Sequence, residues 1–142
     1  MIQWAVWIWA IVYVGFTLLV LAVLRRKNGG GFSPSPTVSV VVAARNEAAN
    51  IGRCIASLGA QDYDPGRYEV IVCDDRSTDG TGLILHDISA SMPFLKVIRI
   101  DQTPAGVSPK KHALLSAISA ATGEIILQTD ADCIVPSGWI SG

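Results

Sequence analysis

Charge is missing from the first part of this chain. Between Met1 and Leu24, "MIQWAVWIWAIVYVGFTLLVLAVL", no charged side chain occurs. The leading positive charge, short apolar core and small-residue cleavage site of a secretory signal are missing too, which argues against a cleaved leader. Cysteine is scarce. Cys54, Cys73 and Cys133 are odd in number and lack metal-ligand spacing, so they read as small buried thiols in a reducing compartment, not as a disulfide framework. A net charge of −1 leaves no basic surplus for nucleic acid. Internal repeats are absent, and only one short stretch is of low complexity.

What the beginning does have is apolar length. Half of the 142 residues are hydrophobic, the mean hydropathy is +0.41, and the excess sits at the N-terminus. A helix needs about 20 residues to cross a hydrocarbon core of about 30 Å. Trp4, Trp7 and Trp9 crowd one end of the run, where indoles favour the membrane interface, and Arg25-Arg26-Lys27 closes the other. Residues 1–27 are therefore expected to be a membrane anchor with its basic flank in the cytoplasm and its N-terminus outside. "NGGGFSPSP" follows. Its glycines and X-Pro pairs disfavour ordered structure, and the glycines neither follow a strand nor open a helix, as a dinucleotide fingerprint requires. Residues 28–37 are expected to be a linker, and 38–142 a folded domain.

From Val38 onward the periodicity alternates. "VSVVVAA", "YEVIVCDD", "FLKVIRI" and "EIILQTD" are strand-like apolar runs of the kind buried in a parallel sheet. Between them, "NEAANIGRCIASLGAQ", "DGTGLILHDISASMP" and "KKHALLSAISAATG" carry helical spacing, with Gly59 and Gly123 as stops. This order predicts right-handed crossovers, a mainly parallel α/β sheet of Rossmann type and helices on both faces. "QDYDPGRY" is a connecting turn.

Ligands of such sheets bind beyond the carboxyl ends of the strands, and the polar residues collect there. The first strand runs into Arg45-Asn46-Glu47, the second into Asp74-Asp75 and the fourth into Asp130-Ala131-Asp132, while Lys110 and Lys111 open the third helix. Carboxylates converging from Glu47, Asp74, Asp75, Asp130 and Asp132 need a cation. Oxygen ligands select Mg²⁺ or Mn²⁺, which takes one or two carboxylates plus substrate phosphates. Asp130 and Asp132, at i and i+2, can aim the same way, and a lysine at a helix N-terminus adds to a diphosphate clamp. The expected ligand is a metal-bound diphosphate.

The stretches "VSVVVAARNEAANIGRCIASLGAQDY", "YEVIVCDDRSTDGT" and "PKKHALLSAISAATGEIILQTDADC" resemble the nucleotide-binding half of family 2 glycosyltransferases, which have the GT-A fold. The likeness runs from Thr37 to about Gly142. It implies that Ala43, Arg45 and Glu47 line the nucleotide pocket. Asp75, together with Asp74, would contact base or ribose, and Lys110 would lie near the nucleotide. Asp130 would approach ribose and metal, and Asp132 would ligate the metal. The donor implied is a nucleotide sugar, above all a UDP-sugar, and the acceptor a carbohydrate, glycolipid or lipid-linked precursor of the envelope.

Two departures qualify this. Leu115 stands where many members have asparagine. The family's inverting transfer also needs a carboxylate base on the acceptor hydroxyl, and "CIVPSGWISG" after Asp132 has no Asp, Glu or His. The base is expected beyond Gly142, in an acceptor half that these residues do not include. A nucleotidyltransferase would want a glycine-rich loop where the chain has "AARNE". A membrane-tethered nucleotide-binding module without catalysis is the other alternative. His86 reads as a surface residue, and His112, beside the lysines, as a minor candidate for nucleotide contact.

Overall fold

The computed structural model describes residues 2–25 and 35–142. The chain divides into two units, Met1–Pro34 and Ser35–Gly142. The first contains α1, Ile2–Arg25, a single helix of 24 residues, or about 36 Å at 1.5 Å per residue. Of the described residues taken alone, no helix is long and apolar enough to cross a membrane. Part of α1's side chains lie outside that set, and the spanning role expected for residues 1–27 stands as a proposal. Most of the linker expected at 28–37 also lies outside the described residues.

The second unit alternates as expected: β1 (Val38–Ala44), α2 (Ile51–Gly59), β2 (Tyr68–Asp75), α3 (Thr81–Ser89), β3 (Leu95–Ile100), α4 (Pro109–Ala120) and β4 (Ile125–Asp130). The strands form one sheet in the order β3-β2-β1-β4, and every pairing is parallel. The two-residue period of β1 and β2 divides their apolar side chains between two cores. Val40, Val42, Val70 and Val72 pack with Ile51, Ile55, Leu58 and Leu85 of α2 and α3. Val41, Ile71 and Cys73 pack with Ala113 and Ala117 of α4. Helices on both faces account for the unbroken apolar runs, since neither face of these strands meets water.

Register carries the strand ends to one edge. Ala43 lies opposite Cys73 on one side and Asp130 on the other. β4 differs from its expectation as a fully buried strand: it is the edge of the sheet, alternately half-buried and exposed, with Ile126 42% exposed.

Two polar devices fasten the opposite edge. Glu69 Oε1 accepts from Ser39 Oγ at 2.7 Å, from Thr122 N at 2.8 Å and from Thr122 Oγ1 at 2.7 Å, while Oε2 pairs with Lys96. These bonds satisfy a carboxylate that burial would otherwise penalise. Gly123, expected as the stop of α4, serves differently. The helix ends at Ala120, and a Cβ at Gly123 would lie 2.6 Å from Ser39 N and 2.7 Å from the Val38 carbonyl carbon. It is glycine because two backbones pass too closely for a side chain.

Candidate functional site

Beyond the carboxyl ends of β1, β2 and β4 lies a cavity of about 400 Å³. Ala43, Arg45, Glu47, Asp75, Lys110, Asp130 and Asp132 line it, with Ala44, Ser108, Pro109, Ala113 and Ala131. Each element contributes from its end. β1 delivers Arg45 and Glu47 through a turn in which Glu47 O accepts from Asn50 N and Ile51 N, opening α2. The Glu47 carboxylate also accepts from Asn50 Nδ2 at 2.9 Å. Pro109 opens α4 with its fixed φ, and so places Lys110 in the first turn. β4 ends in a turn closed by Cys133 N donating to Asp130 O at 3.1 Å.

Asp75 is the most buried carboxylate of the cavity, its side chain 4% exposed. It is compensated by two guanidinium groups. Arg76 Nε donates to Oδ1 at 2.9 Å, and Arg45 Nη1 lies 3.6 Å from Oδ2. Across the cavity Lys110 Nζ donates to Asp130 Oδ1 at 2.8 Å. That hydrogen bond, first among its causes, raises the Lys110 pKa above the usual lysine value. Below the Asp-Ala-Asp turn, Cys54 Sγ lies 3.6 Å from Asp130 O. Burial, followed by the charges of Cys133, Asp132 and Glu47, pushes its thiol up to about 11.

One expected residue is not in this cavity. Asp74 lines a separate depression with Ser77, Gly82 and Arg99, and its Oδ1 accepts from Ser77 N at 3.2 Å. Parity is the reason. Asp74 continues the Val70, Val72 side of β2, toward α3, whereas Asp75 continues the Ile71, Cys73 side, toward α4. Four carboxylates, not five, therefore line the cavity. Lys111, His112 and Leu115 do not line the cavity either. His86 is exposed as expected, and Cys133 is exposed instead of buried. Arg76 escaped the sequence reading, although its adjacency to Asp75 was the available signal. Ser108 and Ala113 are small residues whose placement depends on where α4 starts, and no pattern marks them.

Among the described residues no group of three or more His, Cys, Asp or Glu side chains could hold a metal alone. Asp130 and Asp132, both exposed at the cavity, are the two carboxylates that could share one ion. That set suits a hard divalent ion completing its shell with phosphate and water.

The family model for glycosyl transferase family 2 matches residues 39–142. The chain belongs to this family. It is 42% identical over 104 residues to the beta-monoglucosyldiacylglycerol synthase of Synechocystis sp., covering 72% of this chain and 21% of that protein. It is 31% identical over 108 residues to the glycosyltransferase AglE of Haloferax volcanii, covering 76% and 34%. The chain thus spans about a fifth to a third of these relatives. Among solved structures, S. aureus TarS in complex with UDP-GlcNAc superposes with a TM-score of 0.63 at 29% identity, over 74% of this chain and 29% of that one. The mannosyltransferase PcManGT of Pyrobaculum calidifontis, in complex with GDP-Man and Mn²⁺, gives 0.63 at 32% identity, over 91% and 39%. These neighbours share the GT-A-like parallel sheet.

Proposed function

We propose that this chain forms the donor-binding part of a membrane-anchored glycosyltransferase, taking a nucleotide diphosphate sugar, most readily a UDP-sugar, together with Mg²⁺ or Mn²⁺. One observation carries the proposal. Arg45 pairs with Asp75, Lys110 pairs with Asp130, two residues before Asp132, and all five line, with Glu47, one cavity of about 400 Å³. The first set offers paired charge and hydrogen-bonding groups for base and ribose. The second offers two carboxylates and an ammonium for a metal-diphosphate.

The metal, held by Asp132 and Asp130, would supply charge neutralisation for the departing diphosphate. The chain's own contributions are then distinct. Lys110 adds a positive charge near the N-terminus of α4, where the helix dipole already favours anions. Asp75, fixed by Arg76, presents a carboxylate with one orientation. Inverting transfer needs a base on the face opposite the leaving group, and no residue of this chain is assigned that role. The relatives named beta-monoglucosyldiacylglycerol synthase support a glycolipid or envelope acceptor. A membrane anchor in α1 would place the site beside such an acceptor, and within that helix the Thr17 hydroxyl is satisfied by Tyr13 O at 2.8 Å.

Calorimetric titration with UDP in Mn²⁺ or Mg²⁺, repeated in EDTA and with GDP and ADP, tests the reading. Metal-dependent binding of UDP in preference to ADP is expected, and equal affinity with and without metal would overturn the metal bridge.

A further inference from the structure

Three consecutive backbone N–H groups follow β1 that neither the sheet nor α2 satisfies, and the loop after β2 together with the first residue of α3 accepts all three. Asn46 N donates to Ser77 Oγ at 2.9 Å, Glu47 N to Thr81 Oγ1 at 2.8 Å and Ala48 N to Asp79 Oδ2 at 3.0 Å. The bonding is reciprocal, since Thr78 N donates to Asn46 Oδ1 at 2.8 Å. Asp79 also orients its partner: Oδ1 accepts from Thr81 Oγ1 at 2.6 Å, leaving the Thr81 oxygen to accept from Glu47 N.

The backbone at both loops is unusual. Asn46 has φ +57° and Arg76 φ +55°, the left-handed region that side chains disfavour and asparagine tolerates best. Such conformations persist only where surrounding bonds over-determine them. At Asn46 the reversal lies between Arg45 and Glu47, which both line the cavity. At Arg76 it lies directly after Asp75, which Arg76 also pairs. Asn46, Ser77, Thr78, Asp79 and Thr81 do not themselves line the cavity.

We infer that Asn46, Asp79 and Thr81 are positioning residues that fix Arg45, Glu47 and Asp75, and so set affinity for the nucleoside half of the donor. The inference rests on the nucleotide reading above. None of these bonds reaches Asp130, Asp132 or Lys110, so the diphosphate half is expected not to depend on this brace. Burial supports the assignment: Thr81 is fully buried, and its hydroxyl joins Asp79 to Glu47 N.

The experiment compares uridine, followed by NMR shift titration, with Mn²⁺-pyrophosphate, followed by calorimetry, on the full chain. The variants are Asn46→Gly, which keeps the positive φ and removes the acceptor, Asn46→Asp, which keeps both, and Thr81→Val. Asn46→Gly and Thr81→Val are expected to weaken uridine about tenfold, the loss of a well-placed hydrogen bond, with Mn²⁺-pyrophosphate affinity unchanged. Asn46→Asp should restore uridine binding to within about twofold of wild type. Wild-type uridine affinity in Asn46→Gly would overturn the inference, as would equal losses of both ligands in a variant that keeps its near-UV spectrum. If Thr81→Val fails to fold, the Asn46 pair decides alone. Failure of the wild type to bind UDP with metal would instead remove the nucleotide reading itself.

Discussion

Lys110 Nζ stands 2.8 Å from Asp130 Oδ1, so an ammonium from α4 already occupies one carboxylate of the proposed metal set. The two side chains are 60% and 51% exposed, and an exposed pair contributes little to stability. Its consequence is competition. A divalent ion approaching Asp130 has to displace Lys110 or share the carboxylate with it, and a bound diphosphate offers the freed ammonium a new partner.

Lys110→Met should therefore move two affinities in opposite directions. Mn²⁺ alone should bind about two- to fivefold more tightly, and UDP with Mn²⁺ about two- to fivefold more weakly, in keeping with a screened ion pair. The melting temperature should stay near that of wild type, because no buried group is touched. Calorimetry with Mn²⁺, then with UDP at saturating Mn²⁺, reads both. A parallel fall in the two affinities would show that Lys110 acts by shaping the helix start.

A second prediction separates neighbours on β2. Asp75→Asn should weaken UDP binding by about tenfold, since a neutral amide replaces the anchor of two guanidinium groups. Asp74→Asn keeps an oxygen for Ser77 N and faces α3, so UDP affinity should stay within about twofold of wild type. Equal effects would mean that both carboxylates reach the nucleotide.

Much of this was legible in the residues, and the exceptions have physical causes. β-Branched runs and helical spacing locate the elements because burial on two faces leaves a continuous apolar signature. Strand ends followed by Arg, Glu, Asp and Lys locate the cavity because topology brings those ends to one edge. Strand parity alone already requires Asp74 and Asp75 to diverge. In a run apolar on both sides, however, nothing marks which parity faces α4 until the helices are placed. The exposure of β4 depends on strand order, and its apolar start, Ile125-Ile126-Leu127, reads like that of a buried strand. The brace of Asn46 with Thr78, and of Asp79 with Ala48, joins residues 32 and 31 apart in the chain. Each of these residue types, taken alone, reads as ordinary loop chemistry.

Gly123→Ala tests the close approach beside β1. The added methyl meets backbone atoms at 2.6 and 2.7 Å, and these cannot turn aside as a flexible side chain would. Overpacking of this kind costs about 1–3 kcal/mol, and each 1 kcal/mol lowers the melting temperature of a domain this size by roughly 4–8 °C. Denaturant titration checks the loss. UDP affinity should be unchanged, because Gly123 lies at the opposite strand ends from the cavity. An unaltered midpoint would show that the turn yields.

Acid stability follows from Glu69. Burial works to raise its pKa, but hydrogen bonds from Lys96, Ser39 and Thr122 outweigh it and bring the group from 4.5 to about 2. A depressed carboxylate stabilises the fold above its unfolded pKa, and that contribution is lost as pH falls from about 4.5 through about 2. Glu69→Gln should cost about 1.5–3 kcal/mol at pH 7, the range for hydrogen bonds to a charged group. The gap to wild type should narrow progressively below about pH 4.5. Urea unfolding at pH 7, 4 and 3 measures it, and a constant gap would assign the cost to packing instead of charge.

The last prediction concerns Asp132, which lines the cavity and whose carboxylate has Cys133 Sγ, 3.7 Å from Oδ1, as a weak donor. A carboxylate so lightly engaged at a turn contributes little to the fold, and in the proposed function its work is to hold the metal. Asp132→Asn should then lower UDP–Mn²⁺ affinity by at least one to two decades, since even a lost hydrogen bond to a charged group costs about 1.5–3 kcal/mol. The melting temperature should hold or rise slightly, because one negative charge leaves the vicinity of Asp130 and Glu47. Binding of UDP in EDTA, expected to be weak, should not change, as the lost partner is the metal. A purely structural role predicts the reverse: the turn after β4 loosens, the melting temperature falls and affinity is retained. Melting temperature and UDP–Mn²⁺ affinity measured on the same mutant distinguish the two, and a destabilised protein with wild-type affinity would remove Asp132 from the metal set.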